Sequence, residues 1–349
     1  MWLHELHIQY GAVVRYSPNE LSFIEPETWK DIYAHKTTPL FQKDYKFYGT
    51  DSFGNPPGLM RANDISHTRQ RKLVSHAFSD KALHEQQHLL VHYVELLVHK
   101  LKEASKYDAQ SKVNIVDWYN FTTFDIMADL TFGEPLKMLE DSAYTPWVQS
   151  LLGNMRIIQI GGCIRHWPGL EKLMFLLLPK KRVEQKKFHI QHSIIRVDKR
   201  MALKTDRPDI WTYIMRHSES EENRGKGLTQ TEMYSNAALF MLAGTETTAT
   251  ELSGLTYYLL KNPQKMDRLQ KEVRGAFESP EEMTMTALGQ MPYLGACIEE
   301  GLRLYPPVPG TLPRVTPREG AMVRGQWLPG GVSNYMCHIC AFIKRLIKR

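Results

Sequence analysis

Apolar positions recur along the chain at two periods, and the longest runs have the helical one. Residues 12–26, AVVRYSPNELSFIEP, alternate around turn formers, which predicts two short strands joined at Ser17-Pro18-Asn19. Residues 49–58, GTDSFGNPPG, read as loop. From about 64 to 105, Leu73, Phe78, Leu83, Leu89, Leu90, Val94, Leu97 and Leu101 recur at three- and four-residue spacings, the mark of an amphipathic helix. Residues 118–133 predict another, stopped by Gly133 and Pro135. Within 144–195, two helical segments flank a Gly-, Pro- and Trp-rich loop, and the charged stretch 217–228 reads as surface. A long helix over roughly 229–261 ends at Asn262-Pro263, and another covers 264–277. Residues 287–310 give a turn, a helix and a proline-rich exit, followed by short strands in TLPRV and AMVRGQWLPGG. The pattern predicts a mainly α fold with small β-sheets built from both ends of the chain, with no internal repeat and no interdomain linker.

Composition narrows the function classes. With 42% hydrophobic and 23% charged residues, the chain of 349 has ample material for a globular core. The net charge of +6 is concentrated at one end, because four of the last six residues are basic; without those six, 40 cationic residues face 38 anionic ones. So balanced a body gives no footprint for nucleic acid. Cys163, Cys297, Cys337 and Cys340 are too few and too scattered for a secreted disulfide framework, which makes a reducing, cytosol-facing environment the expectation. Residues 1–23 hold no apolar run of signal-peptide or membrane-span length, and the longest apolar stretches, 173–178 and 237–244, are too short to span a bilayer. Any membrane anchor is expected to lie outside this chain.

Two segments carry candidate chemistry. The long helix contains Ala243-Gly244-Thr245-Glu246-Thr247-Thr248, where Gly costs about 1 kcal/mol relative to Ala. Threonine hydroxyls there can bond carbonyls one turn back and bend the helix. The result is a notch that presents a hydroxyl and a carboxylate inside an apolar helix, suited to passing protons to a small polar molecule; a solvent-facing polar patch fits the same residues. Farther on, Glu300 and Arg303 stand three apart on one helix face, close enough to pair. Cys297, Ile298, Leu302 and Leu304 around them predict a largely buried helix, and Tyr305-Pro306-Pro307-Val308-Pro309 ends it in a rigid exit.

In this order, A-G-x-[DE]-T-T, E-x-x-R about fifty residues on, a PPVP exit and the strand Leu312-Pro313-Arg314 resemble the cytochrome P-450 monooxygenases. YGAVVRYSPNELSF resembles that family's first strands and SHTRQRKLVSHAFSDKAL its third helix; WYNFTTFDIMADLTFG and ACIEEGLRLYPPVPGTLPR look like the fungal enzymes of secondary metabolism, of the isotrichodermin hydroxylase type. The resemblance runs from about residue 2 to 331. It implies that Glu246 and Thr247 form the acid–alcohol pair guiding protons to oxygen, and that Glu300 and Arg303 form a structural ion pair. It further implies that His67, Arg71 and Arg314 hold the haem propionates, a use suited to arginine. Residues 48–62 and 150–180 correspond to the loops that shape substrate entry, and LMFLLLP beside Lys180, Lys181 and Arg182 fits contact with a membrane surface or a solvated charge run. The implied cofactor is haem, with electrons from an NADPH-cytochrome reductase, a small lipophilic substrate, no nucleic acid, and the cytosolic face of the endoplasmic reticulum membrane.

The chain departs from the family's pattern near its end. The segment F-x-x-G-x-R-x-C-x-G, whose Cys thiolate ligates the iron, does not occur among the 349 residues. The expectation is a partial cytochrome P-450 domain over 1–331 and an unrelated tail over 332–349. Val332-Ser333 can be encoded by a splice-donor sequence, which makes translated intron one origin of that tail. Cys337 and Cys340 form a lone C-x-x-C, two ligands short of a tetrahedral zinc site. The alternative function is therefore a catalytically inactive fragment, without haem-iron ligation.

Overall fold

A capping box fixes where the longest helix begins. Thr229 Oγ1 accepts from the Glu232 backbone N–H at 3.2 Å, and Glu232 Oε2 accepts from the Thr229 N–H at 2.9 Å. From there α12 (Gln230–Lys261) runs 32 residues, about 48 Å at the usual helical rise, until Asn262-Pro263 stops it. The computed structural model describes residues 2–34, 40–49, 57–106, 112–167, 169–177, 179–203, 205–218, 227–310 and 312–337.

Before α12 the chain forms α1 (Trp2–Tyr10), β1 (Val13–Ser17), β2 (Glu20–Phe23), α2 (Thr28–Tyr33), β3 (Gln42–Lys43), α3 (Tyr45–Tyr48), α4 (Asp64–Ser75) and α5 (Asp80–Lys106). Then come α6 (Ile115–Phe132), α7 (Met138–Asp141), α8 (Pro146–Ile164), α9 (Leu170–Leu177), α10 (Lys180–Ala202) and α11 (Ile210–Ser218). Helix α12 is followed by α13 (Pro263–Ala276), α14 (Met285–Gly289), α15 (Pro292–Leu304), β4 (Arg314–Val315), β5 (Ala321–Val323), β6 (Gln326–Leu328) and β7 (Ser333–Met336). The predicted class, mainly α with small sheets, is what forms. The amphipathic stretch read as one helix over 64–105 is two: α4 ends at Ser75, a 3-10 turn covers His76–Phe78, and Ser79, extended and accepting from the Ala82 N–H at 3.3 Å, starts α5.

The main core lies where α6 runs along α12. Phe124, Met138, Leu139, Trp211, Ile214 and Met241 are fully buried there. Two buried polar devices order it. Asp125 accepts from the backbone N–H groups of Leu136 (3.0 Å), Met138 (3.2 Å) and Leu139 (2.8 Å), tying the chain after α6 back onto it. Arg200 grips Asp209 with two bonds, Nε to Oδ2 at 2.6 Å and Nη2 to Oδ1 at 2.8 Å, and also donates to Thr212 Oγ1 at 2.7 Å.

Five strands form one sheet in the order β1-β2-β7-β4-β3, and β5 and β6 form a separate hairpin. Residues beyond the boundary expected after Gly331 take part in the larger sheet. Ser333–Met336 is the middle strand of the five, parallel to β2 and antiparallel to β4. Its four residues are all buried, so the fold uses the chain beyond 331. A short strand can be recruited by the open edges of two others whatever its own composition, because the pairing is made by backbone groups. Residues 338–349, including Cys340, lie outside the described residues; Cys337 is buried at the end of β7.

The expectation of a largely buried helix around Glu300 and Arg303 is corrected at α15. Among its residues Gly301 alone is buried, while Ile298, Leu302 and Leu304 are about 41, 44 and 40% exposed. The helix packs on α12, α13 and α14. Among the described residues nothing covers its other face, and apolar composition was a poor guide to burial there.

Candidate functional site

Cations from three distant segments meet beside the five-stranded sheet. Antiparallel pairing of β3 and β4 sets Lys43 directly opposite Arg314. Like charges directly opposite one another on neighbouring strands are unfavourable, so the sheet holds this pair against its own electrostatics. Lys43 Nζ donates to the carbonyls of Leu59 (2.9 Å) and Ala62 (3.2 Å), just ahead of α4. Arg314 donates to Tyr48 Oη at 2.8 Å, and its guanidinium lies over the rings of Tyr33 and Tyr48. Asn63 caps α4 by accepting from the Ser66 N–H at 2.9 Å, and that helix brings His67 and Arg71, one turn apart.

Two of these four groups feel the charge of the others. Burial first, and then the charges of Lys43, Arg71 and Arg314, push His67 down to about 4. Burial and Arg314 lower the Lys43 ammonium to about 8. Asp64 is the carboxylate that acts against these shifts on both groups. Three cations and an imidazole against two nearby carboxylates, Asp64 and Asp44, make a site short of negative charge. A group bearing two carboxylates fits it, and the haem propionates are such a pair. The sequence pointed to His67, Arg71 and Arg314, which the structure brings together. It missed Lys43, whose place beside them comes from the strand register.

A polar seam fastens α4 to α12. Gln70 and Asn236, both fully buried, bond to each other at 2.9 Å, and Asn236 Oδ1 accepts from the Leu59 N–H at 2.8 Å. Arg69 pairs with Glu232 of the capping box. The cationic cluster is thereby held in a fixed relation to the helix that carries the notch.

In the notch, Thr245 Oγ1 donates to Met241 O at 2.6 Å and Thr247 Oγ1 to Ala243 O at 2.5 Å, the back-bonding expected of mid-helix threonines. Gly244 is there because α6 comes too close for a side chain: a Cβ would stand 2.5 Å from Met127 Sδ. Glu246 Oε1 is buried with no hydrogen-bond partner among the described residues, and burial raises its carboxyl above the usual range. Such an acid keeps its proton more readily than a solvated one.

Glu251, one turn farther, was not singled out by the sequence. Both its oxygens are buried without a partner among the described residues, and burial raises it too. It rests against Gly301, whose missing side chain makes the room. Glu300 and Arg303 pair through two bonds of 2.6 Å, with Glu300 more than half exposed; the Arg303 guanidinium holds Glu300 below the usual carboxylate range.

The family model for cytochrome P-450 matches residues 2–338. The chain belongs to the cytochrome P-450 family. It is 46% identical over 342 residues to cytochrome P-450 monooxygenase efuB of Hormonema carpetanum, covering 95% of this chain and 67% of that protein. It is 45% identical over 332 residues to cytochrome P-450 monooxygenase FUM2 of Gibberella moniliformis, with 95% and 70% covered. Against cytochrome P-450 monooxygenase lcsI of Purpureocillium lilacinum it is 42% identical over 337 residues, with 95% and 64% covered. This cytochrome P-450 chain thus spans about two thirds of the length of the curated relatives it matches. The family match also passes the boundary expected at 331, in agreement with the strand at Ser333–Met336. No described helix is long and apolar enough to cross a membrane.

Proposed function

We propose that this chain provides the propionate-binding and proton-delivering parts of a haem-thiolate monooxygenase that oxidises a lipophilic secondary metabolite. The observation that carries the reading is the Lys43–Arg314 cross-strand pair, completed by His67 and Arg71. Haem, when bound, supplies the redox chemistry that moves one oxygen atom from dioxygen to substrate. Lys43, Arg71 and Arg314 neutralise the two propionate carboxylates and fix their orientation, with His67 as a further donor. Glu246 holds a proton at Oε1 in a desolvated place, and Thr247 offers a hydroxyl one residue on to pass it. Glu300 and Arg303 brace α15. Electrons come from an NADPH-cytochrome reductase. Exposed Trp167, Leu170, Leu173 and Leu176 on and before α9, with Lys180 after it, support contact with a membrane surface such as the cytosolic face of the endoplasmic reticulum.

Titration of the chain with haem, followed by tryptophan fluorescence and haem absorbance, tests the site. One-to-one binding, weakened at high salt and by loss of Arg314 or Lys43, is expected. Binding indifferent to both substitutions overturns it. A second reading is supported by the sequence, in which no F-x-x-G-x-R-x-C-x-G segment occurs: the 349 residues alone are catalytically inactive, without haem-iron ligation. A thiolate-type band in the carbon monoxide difference spectrum of this chain would refute that second reading.

A further inference from the structure

Helix α5 is buried along one face, through Ala82, Gln86 and Tyr93, and polar along the other. His84, His88, His92 and Glu95 are exposed on that outer face. At about 100° per residue they fall within an arc of roughly 80°, and successive histidines rise about 6 Å along the axis. The spacing i, i+4, i+8 makes two overlapping His-x-x-x-His pairs that share His88. All four residues line one cleft of about 470 Å³, whose opposite wall is Pro280, Glu281 and Met283. That wall is tied to α5 by the Met285 N–H, which donates to Gln87 Oε1 at 3.3 Å.

His88 carries the further observation. Its Nδ1 lies 3.0 Å from the Glu85 carbonyl. A carbonyl can only accept, so Nδ1 bears the hydrogen, and in the neutral ring Nε2 carries the lone pair. An imidazole donating one ring N–H to a backbone carbonyl while the other nitrogen is free is the arrangement that orients metal-binding histidines.

We propose that this cleft binds one divalent ion of the late first-row class, copper, nickel or zinc, through His88 Nε2 and one flanking imidazole. Among the described residues no three such side chains already converge on one point. The ion therefore takes two imidazoles, and water fills its other positions, with Glu281 able to join by side-chain rotation. The ion links α5 to the segment ahead of α14, and the site stands apart from the haem reading. Affinity follows the order of that series, copper above nickel and zinc, with magnesium disfavoured because the two anchoring ligands are imidazole nitrogens.

The test is calorimetric titration of the full chain with copper, nickel, zinc and magnesium salts, alongside thermal unfolding with and without each ion. One ion per chain and a raised midpoint are expected for the first three. Because His88 belongs to both pairs, His88→Ala should lose the site. Each of His84→Ala and His92→Ala should keep one pair, and the double variant should lose both. Removal of even a supporting partner typically costs about 10–100-fold in metal affinity, so losses above tenfold are expected for His88→Ala and for the double variant. The double variant keeps His88 and serves if His88→Ala folds poorly. Wild-type affinity in either of these two, or no ion binding by the wild type, overturns the proposal.

Discussion

Lys43→Met separates the work of a binding residue from that of a structural one. Methionine keeps the apolar length of the lysine stem and deletes the charge. In the folded chain the ammonium makes two carbonyl hydrogen bonds and sits opposite Arg314, and its pKa falls from 10.5 to about 8. Hydrogen bonds from a charged group contribute about 1.5–3 kcal/mol, while removal of the like-charge contact and of part of the desolvation offsets that loss. Lys43 is half-buried, and the solvent it meets screens both terms. The net change in unfolding free energy at neutral pH should thus stay within ~1 kcal/mol. Haem binding has no such offset. Loss of one charge-assisted bond to a propionate, ~1.5–3 kcal/mol, lowers affinity by roughly 10- to 150-fold. The pH dependence supplies a second readout. A lysine depressed on folding contributes stability that is present above 10.5 and is lost as pH falls through 8. The wild type should therefore gain stability between pH 8 and 10.5, and the variant should lack this lysine's part of the gain. Urea unfolding at several pH values and haem titration at fixed ionic strength measure these quantities. Unchanged haem affinity, or a stability loss of several kcal/mol at neutral pH, would refute the reasoning.

Four further outcomes are expected. His67 and His192, both lowered on folding from 6.5 to about 4, contribute stability that is present above 6.5 and lost as pH falls through 4; His67→Asn should flatten its share of that loss in acid unfolding curves. Asp209→Asn leaves Arg200, about 2% exposed, charged and without its carboxylate, so urea denaturation should show a loss of about 3–5 kcal/mol, and a change under ~1 kcal/mol would sink the account. Gly244→Val forces a side chain onto Met127 and should cost about 1–3 kcal/mol, much of it recovered by Met127→Ala in the same chain. Thr247→Ala, in protein loaded with haem and supplied with electrons, should leave haem affinity and stability nearly unchanged while lowering product formed per reductant, by analogy with positioned proton donors worth ~10²–10⁴ in rate; an equal yield would remove Thr247 from proton delivery.

Features made by neighbours in sequence could be read without coordinates. The helical period placed α6, α12 and α13 within a few residues, and Ser17-Pro18-Asn19 gave the β1–β2 turn. Thr245, Glu246 and Thr247 formed a visible notch because mid-helix glycine and threonine act on their own turn. The Glu300–Arg303 contact is an i, i+3 pair and needs nothing beyond its helix. His67, Arg71 and Arg314 were reached through resemblance to a family, and their meeting point came from the fold. Tertiary structure decided the rest. Lys43 acquires its place by lying opposite Arg314, a relation set by strand register between segments remote in sequence. Ser333–Met336 becomes a central strand because β2 and β4 offer it their backbone edges, which no residue in that stretch announces. The exposed face of α15, and the buried Glu246 Oε1 and Glu251 carboxyl without hydrogen-bond partners among the described residues, likewise depend on what packs beside them. Local propensity is a property of a dozen residues, whereas burial, register and the sharing of charge are properties of surfaces that meet when the whole chain has folded.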